Sequence, residues 1–202
     1  APLLKEEEKK YENFSKSIRR RAATIGGHNM DDYPLKMSVF NRARLIKNSK
    51  NRIPYGVNLI QKHKRESWIV FTENKKQANE FNKIINTKGF KSALYNTDLD
   101  SAERLENLNR FKKADLNVLV TCTALDEGFD MPEADGALIL SASSSKRQRV
   151  QRMGRVLRIT ENKPNALIVT VYSSKTEFDK LMEEAKRYHK EGVPVSWKRQ
   201  DR

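Results

Sequence analysis

The chain has 202 residues, 37% hydrophobic and 33% charged, enough for one domain with a proper core and a smaller appendage. No apolar run approaches the roughly 20 residues of a membrane-spanning helix, the opening APLLKEEEKKYENF has no secretory-signal pattern, and the single cysteine, Cys122, excludes an intrachain disulfide or a cysteine metal cluster and suits a reducing cytoplasm. The net charge of +14 points to a polyanionic partner, nucleic acid before any other, with a lysine-rich solvated surface as the plain alternative.

Residues 1–25 are charged, with sparse apolar positions at Leu3, Leu4, Tyr11, Phe14 and Ile18, and predict an exposed helix ending at Gly26-Gly27. HNMDDYPLKMSVF is a loop whose Pro34 enters a second helix carrying Met37, Phe40, Leu45 and Ile46. PYGVNLIQKHKRES predicts a third helix, with Val57, Leu59 and Ile60 as its apolar face. From there strands and helices alternate. SWIVFT (67–72) is a short apolar, β-branched and aromatic run of the kind buried on both faces. An amphipathic helix follows through Ala78, Phe81, Ile84 and Ile85 and stops at Gly89. KSALYN (91–96) is the next strand. DLDSAERLENLNRFKK is a helix capped by Asp100 or Ser101, with Leu105, Leu108 and Phe111 on one face. LNVLVT (116–121), GALILS (136–141) and NALIVTVY (165–172) are three more strands. SSSKRQRVQRMGRVLR forms the helix before the last of these, and KTEFDKLMEEAKRYHKEG the helix after it, closed by Gly192. The basic tail VPVSWKRQDR has one residue able to tie it down, Trp197. Buried strands alternating with helices describe an α/β fold with an open parallel sheet and helices on both faces. Ligands of such sheets sit at the carboxyl ends of the strands, which selects Thr72, Asn96, residues 121–130 and residues 141–145.

Two stretches on that edge carry chemistry. TCTALDEGFDMPEAD (121–135) leaves a strand with hydroxyls able to meet phosphate oxygens, and its Asp130 can accept from a hydroxyl or a guanidinium, although an Asp after Gly is also an ordinary turn residue. In QRMGRVLR, Gln151, Arg155 and Arg158 fall at i, i+4 and i+7, so one helix face carries an amide and two guanidiniums. Gly154 weakens that helix by up to about 1 kcal/mol relative to Ala, which a plain surface helix does not need and a closely approached one does. Guanidiniums on one face suit bidentate phosphate binding.

QRMGRVLR resembles motif VI of superfamily 2 helicases and translocases, Gln-x-x-Gly-Arg-x-x-Arg, and VLVTCTALDEGFDMPEAD resembles their motif V. SWIVFTEN is similar to their motif IV strand, and YNTDLDSAERLENLNRF to the segment after it. The four occur in family order over residues 65–172, and the form is most similar to XPB-type translocases and related phage and restriction helicases. A DEAD-box RNA helicase would usually show His-Arg-x-Gly-Arg-x-Gly-Arg, from which Leu157 departs. The resemblance implies a RecA-like second motor domain over residues 61–192, a helical approach segment over 1–60 and a basic tail over 193–202. It implies that Arg155 and Arg158 are arginine fingers toward the γ-phosphate of ATP. Gln151 would link motif VI to the nucleotide, and Asp130 and Gly128 would lie at its ribose and the adjoining turn. Thr121 or Thr123 would meet the nucleic-acid backbone, with Cys122 standing where many relatives carry threonine, and Thr72 would be a further phosphate contact. Arg147, with Lys146, Arg149 and Arg152, lines either a nucleic-acid track or a solvated face.

ATP hydrolysis in that superfamily also needs a Gly-x-x-x-x-Gly-Lys-[Ser/Thr] loop and an Asp-Glu pair for Mg²⁺, and the chain contains neither. IGGHNMDD lacks the Lys-Thr, and LDEGFD belongs to motif V. The expectation is half of a motor: ATP and Mg²⁺ are bound mainly by a first RecA-like domain of the same polypeptide, the nucleic-acid partner is DNA in preference to RNA, no membrane is involved, and the fragment alone is inactive. The alternative is a non-motor nucleic-acid-binding module derived from such a domain. A dinucleotide-binding enzyme is disfavoured because SWIVFT is followed by ENKKQANEF and not Gly-x-Gly-x-x-Gly.

Overall fold

A computed structural model describes residues 1–27, 29–63, 65–122, 134–141, 166–190 and 192–197. Its elements run α1 (Lys5–Thr24), α2 (Tyr33–Lys47), α3 (Arg52–Lys62), β1 (Trp68–Thr72), α4 (Lys75–Thr87), β2 (Ser92–Tyr95), α5 (Ser101–Lys112), β3 (Val118–Cys122), β4 (Gly136–Ile139), β5 (Leu167–Thr170) and α6 (Lys175–Lys190). The chain divides into two compact units. One joins residues 1–51 to residues 172–202, and the other spans residues 52–171.

The second unit is the parallel α/β sheet that the alternating pattern predicts. Its strand order is β2-β3-β1-β4-β5, and every neighbouring pair is parallel. The chain crosses from β1 past β3 to β2 and then returns, so right-handed connections send successive crossovers to opposite faces of the sheet. On one face α5 contributes Leu108 and Phe111 to a cluster with Ile69, Phe71 and Leu119. On the other, α3 and α4 pack together: the inward side of Gly56 in α3 meets Leu138, Leu140 and Phe81 of α4. β1 and β3 are buried along their whole lengths, as continuous apolar runs require.

The helix caps are the ones their residue types favour. Asn74 starts α4 by accepting from the Gln77 N–H at 2.9 Å, and Asp100 starts α5 by accepting from the Glu103 N–H at 2.7 Å. Two expectations are corrected. Leu105 stands 57% exposed, because α5 turns Leu108 and Phe111 inward and leaves Leu105 off that face. The inner face of α3 is Ile53, Gly56, Val57 and Ile60, with Leu59 at its margin, and the helix begins at Arg52, ahead of Pro54.

The other unit is helical. α1 and α2 run antiparallel, tied by Arg21 to Asp32, by Ser17 to Ser38 at 3.2 Å and by Arg42 to Ser15 at 3.3 Å. Ile18, Leu35 and Ile46 are its buried apolar residues on these helices, whereas Met37 and Phe40 are exposed. Glu7 is buried yet satisfied, accepting the N–H groups of Leu4 and Lys50 at 2.9 Å each. The C-terminal segment joins through Tyr11 to Thr176 at 3.1 Å and Ser49 to Ser173 at 3.2 Å. Trp197 does tie down the tail, meeting the Phe178 ring edge-on at 5.1 Å between centroids. The units divide at 51/52 and 171/172.

Candidate nucleotide and nucleic-acid site

The described part of the site is the carboxyl edge of the sheet, where β1 ends in Thr72, β3 in Thr121-Cys122 and β4 in Ile139, followed by Leu140-Ser141. Thr72 and Cys122 are register partners, so the two threonines expected at the nucleic acid come together. The Thr72 hydroxyl donates to the Thr121 carbonyl at 3.1 Å and lies 3.3 Å from that of Asn74, while the Thr121 hydroxyl donates to the Cys122 carbonyl at 3.2 Å. Both side chains are 1% exposed. Both hydroxyl protons are spent on backbone: that of Thr72 links the end of β1 to β3, and that of Thr121 stays within β3. Asn96, the buried residue after β2, accepts the Asp98 N–H at 3.0 Å and so shapes its own loop.

Ser141 differs from these. It is fully buried, and its hydroxyl has no hydrogen-bond partner among the described residues. A hydroxyl withdrawn from water without a partner costs free energy, and this one sits where the chain leaves β4 toward residues 142–165.

Sequence reasoning missed Arg52. Its side chain is fully buried at the start of α3, and one terminal nitrogen donates to the Leu140 carbonyl at 2.8 Å and to the Val171 carbonyl at 2.7 Å. Those carbonyls lie just beyond the β4–β5 ladder, whose last bond runs from the Val171 N–H to Ile139 O at 2.9 Å. A guanidinium, with five donors in a rigid fork, suits this place where the strands stop pairing with each other. Nothing in the local sequence distinguishes Arg52 from the many surface cations around it.

Thr123, Gly128, Asp130, Arg147, Gln151, Arg155 and Arg158 lie outside the described residues. Among the described residues, no group of three or more His, Cys, Asp or Glu side chains is placed to hold a metal ion, and no metal chemistry is assigned to them.

The helicase conserved C-terminal domain family matches residues 51–160, more than half of the chain. The chain belongs to that family. The match takes in the sheet from β1 to β4 together with the QRMGRVLR segment. Among curated relatives of this helicase domain, the DNA 3'-5' translocase XPB2 of Sulfurisphaera tokodaii is 29% identical over 190 residues, covering 86% of the chain and 42% of that protein. UvrABC system protein B of Fusobacterium nucleatum is 30% identical over 125 residues, or 58% of the chain and 19% of its own length. The ATP-dependent RNA helicase DBP3 of Ajellomyces capsulatus is 28% identical over 163 residues, or 79% and 32%. The chain thus spans less than half of each. Among solved structures, the C-terminal domain of the DEAD-box protein Dbp5 superposes with a TM-score of 0.62 at 22% identity, covering 72% of this chain and 82% of that one. That likeness establishes the RecA-like fold.

Proposed function

We propose that this helicase domain is the second motor half of an ATP-dependent translocase acting on DNA. The supporting observation is the extent of the XPB2 likeness. An alignment covering 86% of the chain reaches well beyond the shared 51–160 domain into the helical unit. In this reading ATP is held between this domain and a first RecA-like domain. Arg155 and Arg158 present guanidiniums to the γ-phosphate, where charge spreads over its oxygens as the phosphoryl group transfers. Gln151 couples that helix to the nucleotide, and Asp130 with Gly128 receives the ribose. Thr123 and Arg147 serve the nucleic-acid side. Thr72 acts on that side by holding the end of β1 to β3, and Thr121 through its place in β3, since the hydroxyls of both are buried. Mg²⁺ would supply charge neutralisation at the β- and γ-phosphates, held by the partner domain.

The test is ATP turnover by the enzyme carrying this domain together with its ATPase half. Arg155→Ala or Arg158→Ala is expected to lower nucleic-acid-stimulated hydrolysis by about 10³-fold or more, with ATP binding retained. A loss below tenfold at both positions overturns the finger assignment. Stimulation by duplex DNA above RNA of the same sequence is expected, and stimulation by RNA alone would overturn the choice of DNA.

A further inference from the structure

Helix α2 turns an aromatic face away from its own unit. Tyr33, Met37 and Phe40 follow at i, i+4 and i+7 and are 70%, 37% and 52% exposed, while Leu35 and Ile46 are buried on the opposite side. Arg44 continues the stripe one turn on, and Lys36 flanks it. Both are exposed, and among the described residues neither side chain makes a hydrogen bond or an ion pair. The other arginine of the helix is already occupied: Arg42 lies 5.8 Å over the Tyr11 ring and donates to Ser15. From Tyr33 onward, up to Glu66, the sequence has one sign. Between Asp32 and Glu66 there are nine Lys and Arg residues and no acidic residue.

Two exposed rings about 10 Å apart along a helix do nothing for the packing of this unit. Two cations that make no ion pair among the described residues, with Asp32 one turn before Lys36 already held by Arg21, select a polyanion as the cover for that face, and flat rings between them select one with unpaired bases. A duplex offers the phosphates but keeps its base faces stacked inside.

We infer that the Tyr33–Met37–Phe40–Arg44 face of α2 binds single-stranded nucleic acid, with bases stacking on Tyr33 and Phe40 and phosphates meeting Lys36 and Arg44. The contact lies outside residues 51–160, the part matched to the helicase family, and requires no nucleotide hydrolysis. It rests on the proposed function only for the class of its ligand.

Fluorescence anisotropy of labelled oligothymidylate and oligouridylate with the 202-residue chain tests it, beside a duplex of matching length. Tyr33→Ala combined with Phe40→Ala is expected to weaken single-strand binding at least about fivefold, the loss of roughly one stacked base. Phe40→Trp keeps a stacking surface and is expected to bind like the parent. Lys36→Ala with Arg44→Ala removes two phosphate contacts, and the slope of log K against log salt should fall by about 1.4. All these side chains are exposed, so unchanged thermal melting is the control for folding. Preference for one sugar identifies the strand and supports the inference either way. Undiminished single-strand binding by the Tyr33/Phe40 double variant overturns it, including the case in which a protein neighbour covers the face. A parent chain that binds neither strand overturns it too. Neither result touches Arg155 or Arg158, whose test is ATP turnover, so failure of this contact and failure of the motor reading are read separately.

Discussion

A methyl group at Gly136 would stand 2.5 Å from Cε3 of Trp68 and 2.7 Å from two further ring atoms, and Trp68 is fully buried with no room to retreat. The two residues are register partners in neighbouring parallel strands, so the ring occupies the space that a side chain in β4 would fill. Gly136→Ala is therefore an overpacking change in a close-packed interior. It should cost about 1–3 kcal/mol, seen as a lower urea midpoint at unchanged slope, and a stability equal to the parent's would show that the ring can move. The residue scale also contains what the linear pattern does not. GALILS reads as a buried strand with or without its glycine, and only the pairing with Trp68 gives that glycine a purpose.

Arg52 shows the same limit for whole elements. Its guanidinium joins α3 to carbonyls 88 and 119 residues away in sequence, at the edge from which the QRMGRVLR-bearing segment departs. Arg52→Met keeps the aliphatic stem and leaves two buried carbonyls without that donor, which should cost about 1–3 kcal/mol for each group left unsatisfied. Chemical denaturation measures it, and a loss within experimental error would mean that water or a neighbouring donor takes over. At the α1–α2 turn the pairing is electrostatic. Arg21 holds Asp32 through contacts of 2.6 and 3.0 Å, and that hydrogen bond first of all keeps the Asp32 carboxyl below the ordinary carboxylate range, with the Leu35 N–H assisting. Because folding lowers the pKa, the contribution is present above the ordinary carboxylate range and disappears as pH falls through the depressed folded value. Asp32→Asn keeps a capping oxygen but not the ion pair, so its thermal midpoint should decline less steeply on acidification than the parent's. Identical acid profiles would remove the pair from the account. Arg21 is 42% exposed, so salt should narrow the difference.

At the scale of the whole molecule, the family and the fold were legible in the sequence. SWIVFT, LNVLVT and GALILS could be read as strands because a strand buried on both faces must be an unbroken apolar run, and the helices between them because their apolar residues recur at helical spacing. The Gln-x-x-Gly-Arg-x-x-Arg spacing of Gln151, Arg155 and Arg158 lies within the segment matched to the helicase family. All of these are local statements, and local periodicity carries them. Where the pattern misled, the cause was tertiary. Leu105 is an apolar residue at a plausible helical position, but which side of a helix faces the core depends on where other elements lie, and those elements turned Leu108 and Phe111 inward. The unit that joins residues 1–51 to residues 172–202 is likewise set by contacts such as Ser49 to Ser173, which no sequence window spans. The order of residues by itself determined an α/β chain of the helicase C-terminal family. Only the tertiary structure decided which strands are neighbours, that the Thr72 and Thr121 hydroxyls are spent on the sheet edge, that Arg52 closes that edge, and that an aromatic stripe on α2 is left facing water, because each of these depends on groups far apart in sequence being brought within hydrogen-bonding or packing distance.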